Sequence, residues 1–308
     1  MENKPKIIEV KHLSHRYSVD WAIRDIDFEI DSKGVVGLLG SNGAGKSTTM
    51  NIICGVLNQT EGEVLLSGIN TRENPIEAKK LLGFLPQRAP LHPDLTVDEY
   101  LYHCADIRRI PKSEIAAAMR RAKEKCGIME YSKRLIKNLS GGYQQRVGIA
   151  QSIIHNPPFV VLDEPTNGLD PNQIVQVRGL IREIAEERAV LISTHILPEV
   201  QATCDQIKMI EHGRMVFSGS LAQFNNYAAP STLVAILDAA PPTGELLAIP
   251  SVRRVERITD KRMRIHFEGP DTILREIMRR SVEKGWQLSE IFLEKESLDT
   301  VFAKLSGK

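Results

Sequence analysis

The sequence is poor in cysteine and has no pairing pattern among the few it holds. Cys54, Cys104, Cys126 and Cys204 are scattered, with no CxxC. That spacing predicts buried, reduced thiols in a cytosolic protein rather than a disulfide framework. Charge of one sign is also lacking: 40 Lys and Arg face 39 Asp and Glu, for a net charge of +1. Bulk electrostatics therefore give no reason to expect a nucleic-acid partner. Long hydrophobic runs are absent. The longest, such as VVGLL and FVVL, are strand-length, against the roughly 20 residues that cross a bilayer. The start, MENKPKIIEVKH, lacks the apolar core of a signal peptide. A role at a membrane would thus require another chain to supply the membrane part. No internal repeat and no low-complexity segment breaks the sequence. With 308 residues, 42% hydrophobic and 26% charged, the composition is that of a globular protein with one large domain or two.

Residues 7–13 and 26–30 alternate as half-buried strands, and 34–40, 63–68 and 81–86 read as further strands. KSTTMNIICGVL continues from the first glycine loop as a helix. Between about 89 and 138 the character turns helical. Thr96 and Glu99 form a capping box ahead of VDEYLYHCADI, and PKSEIAAAMRRAKEKCG opens with proline and closes with glycine. FVVLDEP (159–165) and AVLISTH (189–195) have the composition of buried parallel strands. IKMIEHGRMVFSG (207–219) predicts a hairpin turning at His212-Gly213. A boundary is expected at 228–230, giving domains 1–228 and 229–308. The second reads β-α-β-β-α-β, a small α+β ferredoxin-like module, with SLDTVFAKLSG as a closing helix.

The strongest local signal is GSNGAGKST at 40–48, between an apolar strand and a helix. Glycines let backbone N–H groups wrap phosphates, Lys46 reaches the β/γ-phosphates, and the Ser47 hydroxyl can bind Mg²⁺. Gly40, Ser41, Asn42, Gly43, Ala44, Gly45, Lys46, Ser47 and Thr48 are the expected cradle. In VVLDE, Asp163 ends an apolar strand where it can meet that metal. Glu164 follows, placed to turn toward the γ-phosphate and polarise water. LSGGYQQR (139–146) is a second cradle, with two glycines behind a serine where a helix begins.

Together these motifs resemble the ATP-binding-cassette (ABC) ATPases, in the right order over residues 6–225. The resemblance implies an α/β P-loop NTPase: a RecA-like core with an antiparallel β subdomain and a helical insertion. It makes Glu164 the catalytic base, Gln87 of GFLPQ the residue that touches Mg²⁺ or the attacking water, and His195 of STH the contact to the γ-phosphate. It also makes Tyr17 the aromatic that stacks on adenine. Asp170 of NGLDP would cross a subunit interface, and Ser140, Gly141 and Gly142 would cover the γ-phosphate held by Lys46 of a second cassette. ATP and Mg²⁺ are the implied cofactors. A homodimer closed by ATP is implied, docked on an integral membrane permease at the inner face of the cell membrane.

LPQRAPLHPDLTVDEYL and LEKESLDTVFAKLSG are similar to cassettes that serve type-2 ABC export permeases, including multidrug and gliding-motility types. That predicts an exporter. An importer ATPase would share the cassette chemistry. A non-transport ABC ATPase is the other alternative, though the interval from the phosphate loop to LSGG leaves no room for a long coiled coil.

Overall fold

The computed structural model describes residues 6–228, 231–269, 272–294 and 300–301. The chain forms two compact units, Met1–Phe224 and Asn225–Lys308, so the division falls slightly ahead of the 228–230 boundary read from composition. The first unit begins with β1 (Ile8–Tyr17), β2 (Asp20–Ile30), β3 (Gly34–Leu39), α1 (Lys46–Ile53), β4 (Glu61–Leu66), β5 (Ile69–Asn70), α2 (Pro75–Lys80) and β6 (Leu82–Leu85). A helical stretch follows, with α3 (Val97–Ile107), α4 (Lys112–Cys126), 3₁₀ turns at Met129–Tyr131 and Ile136–Asn138, and α5 (Gly141–Ile153). Then come β7 (Phe159–Asp163), α6 (Pro171–Ala185), β8 (Ala189–Thr194), α7 (Leu197–Thr203), β9 (Gln206–Glu211), β10 (Arg214–Ser220) and α8 (Leu221–Ala228).

Two sheets share one core. The antiparallel sheet has the order β2-β1-β4-β5, and the larger one β10-β9-β3-β8-β7-β6. Leu38, Met50, Phe159, Val161 and Leu191 from the larger sheet and α1 pack with Ile8, Val10, Ile26 and Phe28 from the smaller. In the larger sheet all pairs are parallel except β9–β10. Strands β7 and β8 are buried along their whole length, which explains their unbroken apolar runs.

Register decides where function can sit. Leu39 pairs with Thr194, Asp163 with Ser193, Leu85 with Leu162, and Leu39 also with Met209. Five parallel strands therefore end at one edge. The segments that leave that edge carry Gly40, Gln87, Glu164, His195 and Glu211. In open α/β sheets, ligands bind outside the carboxyl ends of the strands.

Some local readings hold and others shift. Thr96 accepts from the Glu99 N–H while the Glu99 carboxylate accepts from the Thr96 N–H, a complete capping box. The β9–β10 hairpin turns at His212 (φ 48°) and Gly213 (φ 72°), both left-handed as a type I′ turn requires. β1 and β2 are longer than their alternation suggested. His12 (φ 48°) and Asp25 (φ 51°) sit in irregular stretches of the β1–β2 pairing, and bulges break the period of two. α1 stops at Ile53, short of the predicted helix, because Gly55 turns left-handed (φ 63°) and the Val56 and Leu57 N–H groups fold back onto the Asn51 carbonyl. The four cysteines are free, three of them buried.

The second unit contains β11 (Thr232–Leu237), α9 (Thr243–Leu247), β12 (Val252–Arg257), β13 (Arg262–Phe267), α10 (Ile273–Lys284) and β14 (Leu288–Leu293). Its sheet order is β12-β13-β11-β14, and every neighbouring pair is antiparallel. Alternate residues Leu233, Ala235 and Leu237 join Met263, Ile265, Ile273, Ile277 and Trp286 in a separate core. Of the predicted closing helix, all but Thr300 and Val301 lies outside the described residues.

Candidate nucleotide-binding site

The loop between β3 and α1 wraps tightly because glycine permits it. A Cβ on Gly40 would lie 2.1 Å from the Ile210 carbonyl oxygen, and Gly45 at the start of α1 has φ 108°. The loop is also held from below. Glu211 accepts from the Ser41 N–H at 3.0 Å and from the Ser41 hydroxyl, and the Gly213 N–H donates to the Ala44 carbonyl at 3.1 Å. The tip of the β9–β10 hairpin thus braces the loop. Asn42, Gly43 and Ser47 remain exposed, and Thr48 is half-buried.

Lys46 is the residue that points to an anion. It is only 5% exposed, yet its ammonium donates to two carbonyls, Gly40 at 2.9 Å and Ser41 at 2.8 Å, and no carboxylate pairs with it among the described residues. Burial pulls its pKa below the ordinary value, while the charges of Glu164, Asp163 and Glu211 pull it back up. A buried cation with a spare donor, behind a glycine cradle, fits a polyphosphate. The hard-oxygen donors that would hold Mg²⁺ are present too: the exposed hydroxyl of Ser47 and the buried carboxylate of Asp163. Asp163 accepts from the Ser193 hydroxyl.

Glu164 gathers the other predicted groups. Its backbone is left-handed at φ 48°, which turns the side chain out of the strand alternation, and its N–H donates to Ser193 Oγ at 2.8 Å. Gln87 Nε2 donates to Glu164 Oε2 at 2.8 Å, and His195 Nδ1 lies 3.1 Å from Oε1. Since an ionised carboxylate only accepts, Nδ1 carries the proton in that contact. Asn167 Nδ2 donates to Oε2 at 3.0 Å. Asn167 and Ser193 were missed as site residues, although both stand inside stretches read for other members, NGLDP and STH.

Ser140 occupies the N-cap position of α5 without capping it. Ser140 and Gly141 are exposed, and Gly142 is buried, close to Gln173. Gln145 Nε2 donates to the Pro165 carbonyl at 2.8 Å, tying α5 to the segment after Glu164. Tyr17, at the end of β1, is 53% exposed, with its ring edge-on to His15 at 4.7 Å. Asp170 caps α6, accepting from the Gln173 N–H at 2.9 Å. Lys46, Gln87, Asp163, Glu164 and His195 are thus served by one sheet edge, whereas Ser140–Gly142 open α5 beside Leu169 and Gln173, in the stretch that follows Glu164.

Comparison with known proteins supplies the class of this arrangement. The model of the ABC transporter family matches residues 23–167. The ABC transporter ATP-binding protein NatA of Bacillus subtilis is 34% identical over 65% of this chain and 82% of its own length. The linearmycin resistance ATP-binding protein LnrL of Bacillus subtilis is 24% identical over 98% of this chain and 99% of its own. Among solved structures, cbiO1 of Clostridium perfringens, part of the ABC transporter complex cbiONQ, aligns with a TM-score of 0.66 at 27% identity. That alignment covers 72% of this chain and 91% of that one.

Proposed function

The chain belongs to the ABC transporter family as an ATP-binding and ATP-hydrolysing subunit, and from that premise we propose that two copies clamp ATP between them to drive an export permease. Among the described residues no helix is long and apolar enough to cross a membrane. The membrane part of such a transporter would be a separate integral protein, with this subunit at its cytoplasmic face. Export is favoured by the resistance function in the name of LnrL and by its match along nearly the whole chain, C-terminal unit included. We read that unit as a ferredoxin-like module.

The observation that carries the reading is the Glu164 cluster beside a buried, carboxylate-free Lys46. Lys46 and the N–H groups of the Gly40–Thr48 loop would hold the β/γ-phosphates, with adenine on Tyr17. Mg²⁺ would be held by Ser47 and Asp163, with Gln87 in reach, and would neutralise charge on the transferred phosphoryl group. Glu164 would take the proton of the attacking water. Its oxygens are now bound by Gln87, Asn167 and His195. These three bonds leave one of the carboxylate's roughly four acceptor sites open to the water, and γ-phosphate binding would draw Gln87 and His195 away and free more of it. Ser140, Gly141 and Gly142 of a second copy would close over the γ-phosphate, and Asp170 would lie at the joint.

Phosphate release from ATP tests the catalytic part. Glu164→Gln should lower kcat by about 10²- to 10⁴-fold, the usual worth of a general base, while ATP affinity stays near wild type. Wild-type turnover in that variant would remove Glu164 from its role.

A further inference from the structure

Glu199 takes no part in the chemistry above, yet it is a carboxylate only 6% exposed. A charge so deeply placed is retained only with partners. Thr166 Oγ1 donates to Glu199 Oε1 at 2.7 Å, and Thr194 Oγ1 donates to Oε2 at 2.7 Å. Arg178 Nη2 lies 3.5 Å from Oε1 and supplies the counter-charge. Thr194 Oγ1 also accepts from the Ile196 N–H at 3.1 Å. Both carboxylate oxygens are therefore engaged, each by a different segment.

The positions of these partners give the cluster its meaning. Thr166 stands two residues after Glu164, Thr194 stands just before His195, and Arg178 is on α6, the helix that starts at Asp170. The β7–β8 ladder ends at Asp163–Ser193. Beyond that pair no backbone rung fixes the distance between the strands, and that is where Glu164 and His195 must meet. We propose that Glu199 is a positioning residue: its carboxylate acts as a side-chain rung past the end of the sheet, holding the Glu164 and His195 segments in register and tying both to α6. The ligand-contacting atoms stay those of Glu164 and His195. Glu199 acts through Thr166 and Thr194, in the ATPase reaction only.

The inference rests on the catalytic reading of Glu164 and His195, so its test separates the two. Steady-state ATPase kinetics are measured for Glu199→Gln, Thr194→Val, their combination, Thr166→Ser, Thr194→Ser and Glu164→Gln. Glu199→Gln and Thr194→Val should each lower kcat by about tenfold or more, because small misplacements of catalytic groups are costly. KM for ATP should stay within about twofold, since the phosphate loop does not touch the rung. The combined variant should fall no further than the worse single one, as expected when two changes break one network. The two serine variants keep the hydroxyls and should keep wild-type kcat. Glu199→Gln removes buried charge beside Arg178 and could fail to fold, in which case Thr194→Val against Thr194→Ser carries the test. Wild-type kcat in Thr194→Val, or additive losses in the combined variant, would overturn the rung. If Glu164→Gln turns over ATP like the wild type, the failure lies in the catalytic reading instead.

Discussion

Two helix starts in this chain carry serine and glycine, and they differ in how much of an anion site each completes alone. The loop before α1 brings its own cation, buried Lys46, and is braced by Glu211 and Gly213. The turn before α5 brings none. Lys137, the basic residue nearest to it in sequence, is paired with Asp94 at 2.8 Å, Arg146 is spent on the Cys126 carbonyl at 2.9 Å and Gln176 Oε1 at 3.0 Å, and the Ser140 hydroxyl caps nothing. An anion in the first cradle is neutralised by the chain that holds it. An anion at the second meets N–H groups, a helix dipole and an Arg146 already engaged within the chain, so it is best received with its charge already largely balanced. A γ-phosphate held by Lys46 of another copy meets that condition. The asymmetry is what a composite site needs: one side that binds, and one that recognises what has been bound.

The sharpest way to break this contrast is to remove the cation. Lys46→Met should weaken ATP binding by the isolated subunit about 10- to 100-fold, the worth of a lost charge-assisted hydrogen bond set. Equilibrium binding of a fluorescent ATP analogue reads it, and near-normal affinity would show that the first cradle does not depend on its lysine. The converse variant, Ser140→Glu, puts a carboxylate at the second cradle. Its ATP affinity as a monomer should stay within about twofold of wild type, since Lys46 is untouched, while ATP-driven association is lost to charge repulsion. A parallel loss of monomer affinity would mean that both cradles serve one nucleotide in one chain.

A smaller effect separates the helices themselves. The far end of α5 is pinned by His155, whose Nε2 bonds the Leu82 carbonyl at 3.0 Å. Burial, with Arg108 nearby, pushes this imidazole down to about 4 from its ordinary 6.5. The unfolded chain takes up the proton near the ordinary value and the folded chain only near pH 4. Stability is therefore lost as pH falls through that window. Urea midpoints between pH 7 and pH 4 should drop less steeply in His155→Gln than in the wild type, and equal slopes would clear His155 of the effect. Smallest is the capping difference. Thr96→Ala and Asp170→Ala each remove a side-chain cap and should cost about 1 kcal/mol, a fall in Tm of roughly 2–4 °C for a unit of this size. Ser140→Ala should leave Tm unchanged, because that hydroxyl bonds no helix N–H.

Much of this was legible in the sequence because it is local. The glycine loop, the Thr96–Glu99 box and the His212-Gly213 turn each follow from a few adjacent residues with one cheap conformation. The stop of α1 was legible too, in Gly55, but the apolar pattern running on to Leu57 outweighed it. What stayed hidden depends on register. Glu199 and Glu211 are single acids in apolar surroundings, and nothing near them in sequence says that one reaches Thr166 and Thr194 or that the other braces Ser41. Only the alignment of five strand ends brings those partners together. Asp170 shows another limit: the resemblance makes it an interface residue, and within the chain its carboxylate already caps α6.

The central claim is that the two cradles work across copies, and complementation tests it most directly. One protein carries Glu164→Gln with Lys46→Met, the other Glu164→Gln with Ser140→Glu, each in saturating ATP and Mg²⁺. Sedimentation velocity should find either protein alone monomeric. Their mixture should form a heterodimer, because the intact Lys46 loop of one faces the intact Ser140 turn of the other. A mixture that stays monomeric while Glu164→Gln alone dimerises would contradict the account, as would dimers of either double variant by itself.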